Sequence, residues 1–259
     1  MKEKLFDPSV LEMMEEFKKI AQSQGIDFFI AGAIARDIRL SINPEMKAIR
    51  RTKDVDIALM VTDEHEFYKM KEALLATGNF TDHSTEAIKL FYKQSIELDL
   101  LPFGEIENHV RETRLYKPRL FVMDMPGFSE IMPYVDTVDI DGGLDCKVCT
   151  LEGLVLLKLI ANDNNSSRVK DITDIEHIVS VYFELCMDDI FSDNGDAAEL
   201  YDTNANNYME LVAARVIGRK IKTILKTSEQ LHERVLSILE KRTKGVIWQA
   251  MAAGMRDDN

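Results

Sequence analysis

Hydrophobic residues recur along the chain with two different periods, and the change between them falls near residue 150. Before that point, short apolar or alternating runs are interleaved with helical patterns, which predicts strands and helices in turn. From residue 151 onward only the helical period remains. We therefore expect an N-terminal α/β unit, residues 1–150, followed by an α-helical unit, residues 151–259.

Apolar periodicity, glycines and prolines mark the expected elements of both units. In the first unit, helices are expected at residues 8–24, 34–42 and 62–78. Strands are expected at residues 26–33, 54–61, 87–103 (two strands around Gln94) and on both sides of a hairpin turn at Asp141-Gly142-Gly143. In the second unit, helices are expected at residues 151–162, 168–186, about 205–226 and 228–242.

The charge of the chain restricts its partners. With 45 acidic and 32 basic residues, the formal net charge is -13. Such a surface repels nucleic acid in general, so a nucleic-acid partner would need a local basic patch. The late helices supply the best candidate, made of Arg215, Arg219, Lys220, Lys222 and Lys226. No apolar run is long enough for a signal peptide or a membrane span, so we expect a cytoplasmic protein without a membrane partner.

Two of the three cysteines form a single C-x-x-C motif, Cys146 and Cys149. A zinc ribbon needs four ligands, and no second pair of cysteines or histidines accompanies this one. Residues three apart on a strand point to opposite faces. We therefore expect two half-buried thiols rather than metal ligands.

The segment RRTKDVDIALM places two aspartates, Asp54 and Asp56, at the start of an apolar strand. Side chains two residues apart share one face of a strand, roughly 6.6 Å from each other. One interpretation is an edge strand with a solvated face. The other is a cation site, because Ala58 and Met60 continue the same face with apolar side chains. Two close carboxylates are costly unless a cation holds them, and hard oxygen ligands suit Mg²⁺.

Two further features favour the cation site. Gly32 ends one expected strand and precedes a helix, where a glycine lets phosphate approach backbone N–H groups. Asp99, which shares a strand face with Glu97 in SIELDLLPF, would lie on a neighbouring strand and complete a two-metal site. In such sites, two ions roughly 3.5–4 Å apart activate the attacking oxygen and stabilise the leaving one.

A glycine turn, then the D-x-D of Asp54 and Asp56, then the isolated Asp99, resembles the DNA polymerase β-type nucleotidyltransferase superfamily. The resemblance implies an α+β fold, with a mixed sheet and helices on one side of it. It also implies transfer of a nucleoside monophosphate from an NTP with two Mg²⁺ ions, or Mn²⁺ in their place. Asp54 and Asp56 would hold the ions that bridge the triphosphate. Asp99 would bind the second ion and help to deprotonate the acceptor hydroxyl.

By the same resemblance, Gly32, Ala33 and Arg36 would line the nucleotide, and Arg36-Asp37 is similar to the G-G-x-x-R-D signature of CCA-adding enzymes. The family usually has Gly-Gly or Gly-Ser at the turn, whereas this chain has Ala31-Gly32-Ala33. The serine or second glycine that would contact the phosphates is therefore missing. This departure leaves open a second function, a nucleotide-binding module with weak or no turnover. A third is metal-dependent phosphodiester hydrolysis.

The second unit resembles the helical half of the AbiEii/AbiGii-toxin-type nucleotidyltransferases. It has a helix with Lys158, a short loop and then R-x-K-D-x-x-D. The resemblance implies that this unit closes the nucleotide cleft, with Lys158 at the triphosphate and Lys170 and Asp171 organising the cleft. Judged from the residues alone, a lysine on an apolar stripe is more often a buried stem whose ammonium reaches solvent.

The sequence does not specify the acceptor, which is left open between an RNA such as tRNA, a protein and a small molecule. The base of the NTP donor is also left open, with ATP as one candidate. The biological role (toxin, resistance factor or housekeeping enzyme) and the oligomeric state are also left open.

Overall fold

The computed structural model describes residues 6–41 and 53–258. Within them the strands form one seven-stranded and one two-stranded sheet. The chain divides into two compact units between Thr150 and Leu151. The first contains both sheets, and the second is helical. The segment around Pro44, where the second expected helix was to end, lies outside the described residues.

The elements of the first unit are as follows. Its helices are α1 (Pro8–Gln24), α2 (Gly32–Leu40), α3 (Glu64–Ala76) and α4 (Phe128–Ile131), with a short 3-10 turn at Met132–Tyr134. Its strands are β1 (Phe28–Ala31), β2 (Asp54–Met60), β3 (Phe80–Asp82), β4 (Lys89–Tyr92), β5 (Ile96–Phe103), β6 (Glu112–Leu115), β7 (Phe121–Asp124), β8 (Asp136–Ile140) and β9 (Leu144–Val148).

The larger sheet is mixed, with the strand order β3-β4-β5-β2-β1-β9-β8. The central strand β2 runs parallel to β5 and antiparallel to β1. Both faces of the central strands carry buried apolar side chains, which is typical of a sheet that is covered by other elements. The predicted α+β class, a mixed sheet with helices followed by a helical unit, is confirmed.

Helix α1 shows how local signals set an element in this unit. The Asp7 carboxylate accepts a hydrogen bond from the Ser9 N–H (2.9 Å) at its start, and Gly25 ends it in the left-handed conformation (φ 70°). Its buried face consists of Val10, Met13, Met14, Phe17 and Ala21. The Phe17 ring meets the Phe28 ring edge-on at 5.0 Å, which packs the helix against β1.

Three strands were not predicted: β3, β6 and β7. Each has only three or four residues, which is too short for a two-residue period to be recognised. The expected strand at residues 26–33 also proves shorter, because Gly32 and Ala33 already belong to the first turn of α2. The cysteine expectation was partly wrong, because Cys146 and Cys149 are both buried, not half-buried. Burial raises the pKa of the Cys146 thiol to about 11.

The second unit contains α5 (Leu151–Asn164), α6 (Val169–Leu185), α7 (Met187–Asp193), α8 (Gly195–Glu199), α9 (Tyr208–Ile224), α10 (Glu229–Glu240) and α11 (Val246–Arg256). The sequence did not predict α7, α8 or α11. Within the described part of the chain, no helix combines the length and apolar character that crossing a membrane requires.

Helices α9 and α11 touch backbone to backbone through one glycine on each. A Cβ at Gly218 would lie 2.1 Å from the Met251 carbonyl oxygen, and one at Gly254 would lie 2.0 Å from the Arg215 carbonyl oxygen. At the end of α11, the Asp257 carboxylate pairs with two guanidinium groups of α9, those of Arg215 and Arg219. The close contact and the ion pairs together fix the register of the two helices.

We expect Gly254→Ala to lower the free energy of unfolding by about 1–3 kcal/mol, because the added methyl group must separate two helix backbones. Gly195→Ala is the matched control, since a Cβ there meets nothing within 4 Å. Calorimetry should show Tm reduced for Gly254→Ala alone. Equal Tm values for the two variants would contradict the backbone contact.

Candidate functional site

The pairing of β2 with β5 gathers four carboxylates on one face of the sheet. In this parallel register, Asp54 lies opposite Glu97 and Asp56 lies opposite Asp99. Partners on adjacent strands are about 4.8 Å apart, and their side chains point to the same face. We call Asp54, Asp56, Glu97 and Asp99 the carboxylate array. It includes the three aspartates that the sequence assigned to catalysis and metal binding.

The Asp56 carboxylate lies directly against Gly32. Strand β1 brings Ala31 opposite Asp56, and the chain then turns into α2 through Gly32 at φ +62°. A Cβ at Gly32 would lie 1.9 Å from Asp56 Oδ2 and 2.7 Å from Cγ. Glycine is therefore required both by the left-handed backbone and by the carboxylate. The N-terminus of α2, with its partial positive charge, favours an anion at this place.

This contact changes what the glycine turn does. The sequence assigned Gly32 and Ala33 to phosphate binding, and the structure shows that a carboxylate of the chain makes the close approach at Gly32. The residue before the turn, Ala31, is the N-cap of α2 and makes no side-chain capping hydrogen bond. The roles of Gly32 and Ala33 toward a nucleotide stay predictions.

The Asp99 carboxylate has one oxygen without a hydrogen-bond donor. Its Oδ1 atom is buried and accepts no hydrogen bond from the described residues, while 29% of the side chain remains exposed. The Lys89 ammonium lies 3.5 Å from this oxygen. Burial raises the pKa of Asp99, and the nearby Lys89 charge opposes that shift in part. A desolvated carboxylate oxygen without a donor is costly, and a bound cation would relieve that cost.

Lys89 and Glu97 belong to this site, although the sequence did not assign them to it. Strand β4 pairs antiparallel with β5, so that Lys89 lies opposite Asp99. Its ammonium donates a hydrogen bond to Glu97 Oε2 at 2.5 Å, and this bond raises the pKa of Lys89. The turn between these strands, where Lys93 and Gln94 have positive φ, fixes the register. The sequence predicted two strands around Gln94 but not their register, and it is the register that places Lys89 beside Asp99.

The donor set suits a hard divalent cation. All four members of the array are carboxylates, and Asp54 is exposed while Asp56 and Asp99 are partly exposed. Across residues 6–41 and 53–258, no three Asp, Glu, His or Cys side chains already converge on one point as a metal cluster. The array therefore presents its ligands side by side, with the unsatisfied Asp99 oxygen as the clearest sign that a cation fits.

Arg36, which the resemblance assigned to the nucleotide, is buried in α2. Only 4% of the residue is exposed. Its Nη2 and Nε atoms donate to Asp37 Oδ1 at 2.8 and 3.0 Å. The two side chains form a buried ion pair directly after the glycine turn. The geometry gives Arg36 a place in the packing of α2, and a contact with a nucleotide stays a prediction.

In the second unit, Lys158 joins α5 to α6. Its ammonium lies 2.7 Å from Asp174 Oδ2 and 3.3 Å from Asp171 Oδ1. Asp171 also accepts a hydrogen bond from Arg168 Nε at 2.6 Å. Lys170 is exposed. These ion pairs provide a packing role for Lys158 and Asp171, and the nucleotide contacts expected of Lys158, Lys170 and Asp171 stay predictions.

The basic residues of the late helices are engaged inside the second unit. Arg215 and Arg219 pair with Asp257, and Arg219 pairs with Asp196 as well. Lys220 pairs with Asp189 and Glu152, and Lys222 donates to the Asp257 carbonyl oxygen. Much of the positive charge expected to meet RNA is therefore neutralised by neighbouring carboxylates.

Comparisons with known proteins add little to the geometry. No protein-family model matches the chain, and a search of curated proteins finds no match. The solution structure of the antibiotic-resistance factor ANT(2'')-Ia is 12% identical over 86% of this chain and 97% of that one, with a TM-score of 0.43. A nucleotidyltransferase-like protein from Paracoccidioides brasiliensis is 18% identical over 74% and 88%, with a TM-score of 0.40.

A third structure, the CD-NTase CdnG of Bradyrhizobium diazoefficiens in complex with GTP, is 13% identical over 97% of this chain and 85% of that one, with a TM-score of 0.29. Because all these values are low, the functional argument depends on the carboxylate array and not on the likenesses. The narrower resemblance to the AbiEii/AbiGii type stays a prediction.

The Gly32 contact yields a first test at this site. Gly32→Ala and Gly78→Ala both place a side chain on a left-handed backbone, which costs about 1–2 kcal/mol. A Cβ at Gly78 meets nothing within 4 Å, whereas one at Gly32 meets Asp56. We expect Gly32→Ala to lose clearly more unfolding free energy than Gly78→Ala in urea titrations. Equal losses would show that the carboxylate does not lie against Gly32.

The buried Asp99 carboxylate yields a second test. A carboxyl group whose pKa is raised in the folded state destabilises the fold once it ionises, and has no effect below its unfolded pKa of about 3.9. We therefore expect Asp99→Asn to have a higher Tm than the wild type at pH 7, and to lose this advantage as the pH falls toward 4. Asp145→Asn, at an exposed position of β9, is the control. A lower Tm for Asp99→Asn at pH 7 would contradict the raised pKa of Asp99 in the folded protein.

Proposed function

We propose that this protein is a metal-dependent nucleotidyltransferase that transfers a nucleoside monophosphate from an NTP to a hydroxyl acceptor and releases pyrophosphate. The observation that carries the proposal is the β2–β5 register. It sets Asp56 beside Asp99, whose Oδ1 lacks a donor, while Asp56 lies against the N-terminus of a helix. This combination supplies metal ligands and a helix N-terminus at one end of the same strands.

Each group of the array has a distinct task in this reaction. Asp54 and Asp56 would hold the metal and the triphosphate, with the first turn of α2 beside them to attract phosphate oxygens. Asp99 would orient the acceptor hydroxyl and receive its proton. Mg²⁺, as two ions or with Mn²⁺ in their place, would neutralise charge on the triphosphate and polarise the reacting phosphoryl group. Positioning and charge neutralisation are what such transfers chiefly need.

The charge of the molecule bears on the acceptor. The net charge of -13 and the internally paired basic residues of the late helices both disfavour a long bare RNA. A small molecule, a protein side chain or the end of a tRNA fits this surface better, because each presents few phosphates.

A second function has one observation in its favour. The Ala31-Gly32-Ala33 turn provides no side-chain hydroxyl, and the N-cap of α2 makes no side-chain hydrogen bond. A nucleotide there would be held by backbone groups alone, which is compatible with a nucleotide-binding module of low turnover. The carboxylate array argues against this function, because a binding module has no need of a desolvated Asp99.

Labelled transfer separates the two functions. Wild-type protein, Asp56→Asn and Asp145→Asn would be incubated with α-labelled NTPs, Mg²⁺ and cell extract. We expect label on a discrete acceptor, a loss of about 10²–10³-fold in rate for Asp56→Asn because a charge-stabilising ligand is removed, and no loss for the exposed control.

The contrary outcomes are also distinct. Equal rates of labelled transfer for wild type and Asp56→Asn would show that Asp56 has no role in catalysis. Mg²⁺-dependent NTP binding without labelled product would favour the binding module, and release of free nucleotide without a labelled acceptor would indicate hydrolysis.

A further inference from the structure

A lysine side chain reaches into the carboxylate array from the neighbouring strand. Lys89 lies on β4 opposite Asp99, and 18% of its side chain is exposed. Its ammonium contacts two members of the array unequally. It is 2.5 Å from Glu97 Oε2, within hydrogen-bond distance, and 3.5 Å from Asp99 Oδ1.

This inequality separates the two acidic residues of β5. Glu97 has its negative charge matched by a direct, charge-assisted hydrogen bond, the strongest kind between side chains. Asp99 Oδ1 is buried near the same ammonium but accepts no hydrogen bond from the described residues. Lys89 therefore forms its hydrogen bond with Glu97 and leaves an oxygen of Asp99 available to another cation.

We propose that Lys89 is a positioning residue that withholds Glu97 from the metal site and limits the affinity of the array for divalent cations. The inference depends on the proposed function. In the folded sheet, Glu97 lies opposite Asp54, on the face that presents the three aspartates. Without the lysine, Glu97 is available as a fourth carboxylate ligand on that face. The face also loses one positive charge.

Both consequences of removing Lys89 act in the same direction. The added carboxylate supplies another hard oxygen ligand, and the lost positive charge no longer repels a divalent cation a few ångströms away. Lys89 would thus restrict the ligands of a divalent cation to the three aspartates and limit its affinity for the array.

The test measures Mn²⁺ binding to the full chain by electron paramagnetic resonance, without nucleotide or acceptor. We expect Lys89→Met to bind Mn²⁺ more tightly, on the order of tenfold, and Lys89→Arg to bind like the wild type. Lys93→Met is the matched control, because it also removes one positive charge. Lys93 lies in the turn between β4 and β5 and pairs with Glu12 on the surface. Lys93→Met should leave the affinity unchanged.

The double variant Lys89→Met/Glu97→Gln tests the role of Glu97 itself. It removes both partners of the Lys89–Glu97 pair, so that Glu97 is not left as an unmatched charge. We expect its Mn²⁺ affinity to return to within a few-fold of the wild type. A weaker affinity would show that Glu97 is a metal ligand in the native protein, which would overturn the inference.

Failure of the inference is distinct from failure of the proposed function. If the wild type and Asp56→Asn bind Mn²⁺ equally, Asp56 is not a metal ligand, and both the proposed metal site and the role of Lys89 are refuted. If Asp56→Asn loses Mn²⁺ but Lys89→Met binds no more tightly than Lys93→Met, the metal site stands and the role of Lys89 is overturned.

Discussion

The contact between the Asp56 carboxylate and the backbone of Gly32 is the constraint on which the site depends. It requires that β1 end opposite Asp56, the second aspartate of β2, and that the residue after β1 be a glycine. The left-handed conformation of Gly32 then starts α2 beside the carboxylate. The antiparallel pairing of β1 with β2 thereby holds a helix N-terminus beside an acidic strand.

The mixed sheet turns this local contact into a reaction site. Because β2 and β5 run parallel in register, the second acid of each strand lies beside that of the other. Hairpin β4–β5 then adds a lysine from the opposite direction. The result is an electrostatic balance between four carboxylates and one ammonium, in which Asp99 is left with an unsatisfied oxygen.

Part of this arrangement was predictable from the sequence. The period of two around Asp54 and Asp56 and the glycine before a helix are local signals, and they identified the central strand and its acids. The end signals of α1 likewise identified that helix. The role of Lys89 was not predictable from those signals, since it depends on pairing between strands. Helix α11 was not predicted, although Trp248, Met251, Ala252 and Met255 repeat at helical spacing along its buried face. Its backbone contact with α9 through Gly218 and Gly254 depends on tertiary packing and could not be predicted from that pattern. The ion pairs of Lys158 with Asp171 and Asp174 likewise needed two helices to be placed together.

The most direct measurement of the central claim is anomalous diffraction from crystals grown with Mn²⁺ and a non-hydrolysable NTP analogue. The proposed function predicts anomalous density within ligand distance of the Asp54, Asp56 and Asp99 carboxylates, with the triphosphate of the analogue bound to the same ions. Density for a bound nucleotide whose ions lie away from these three carboxylates would contradict it.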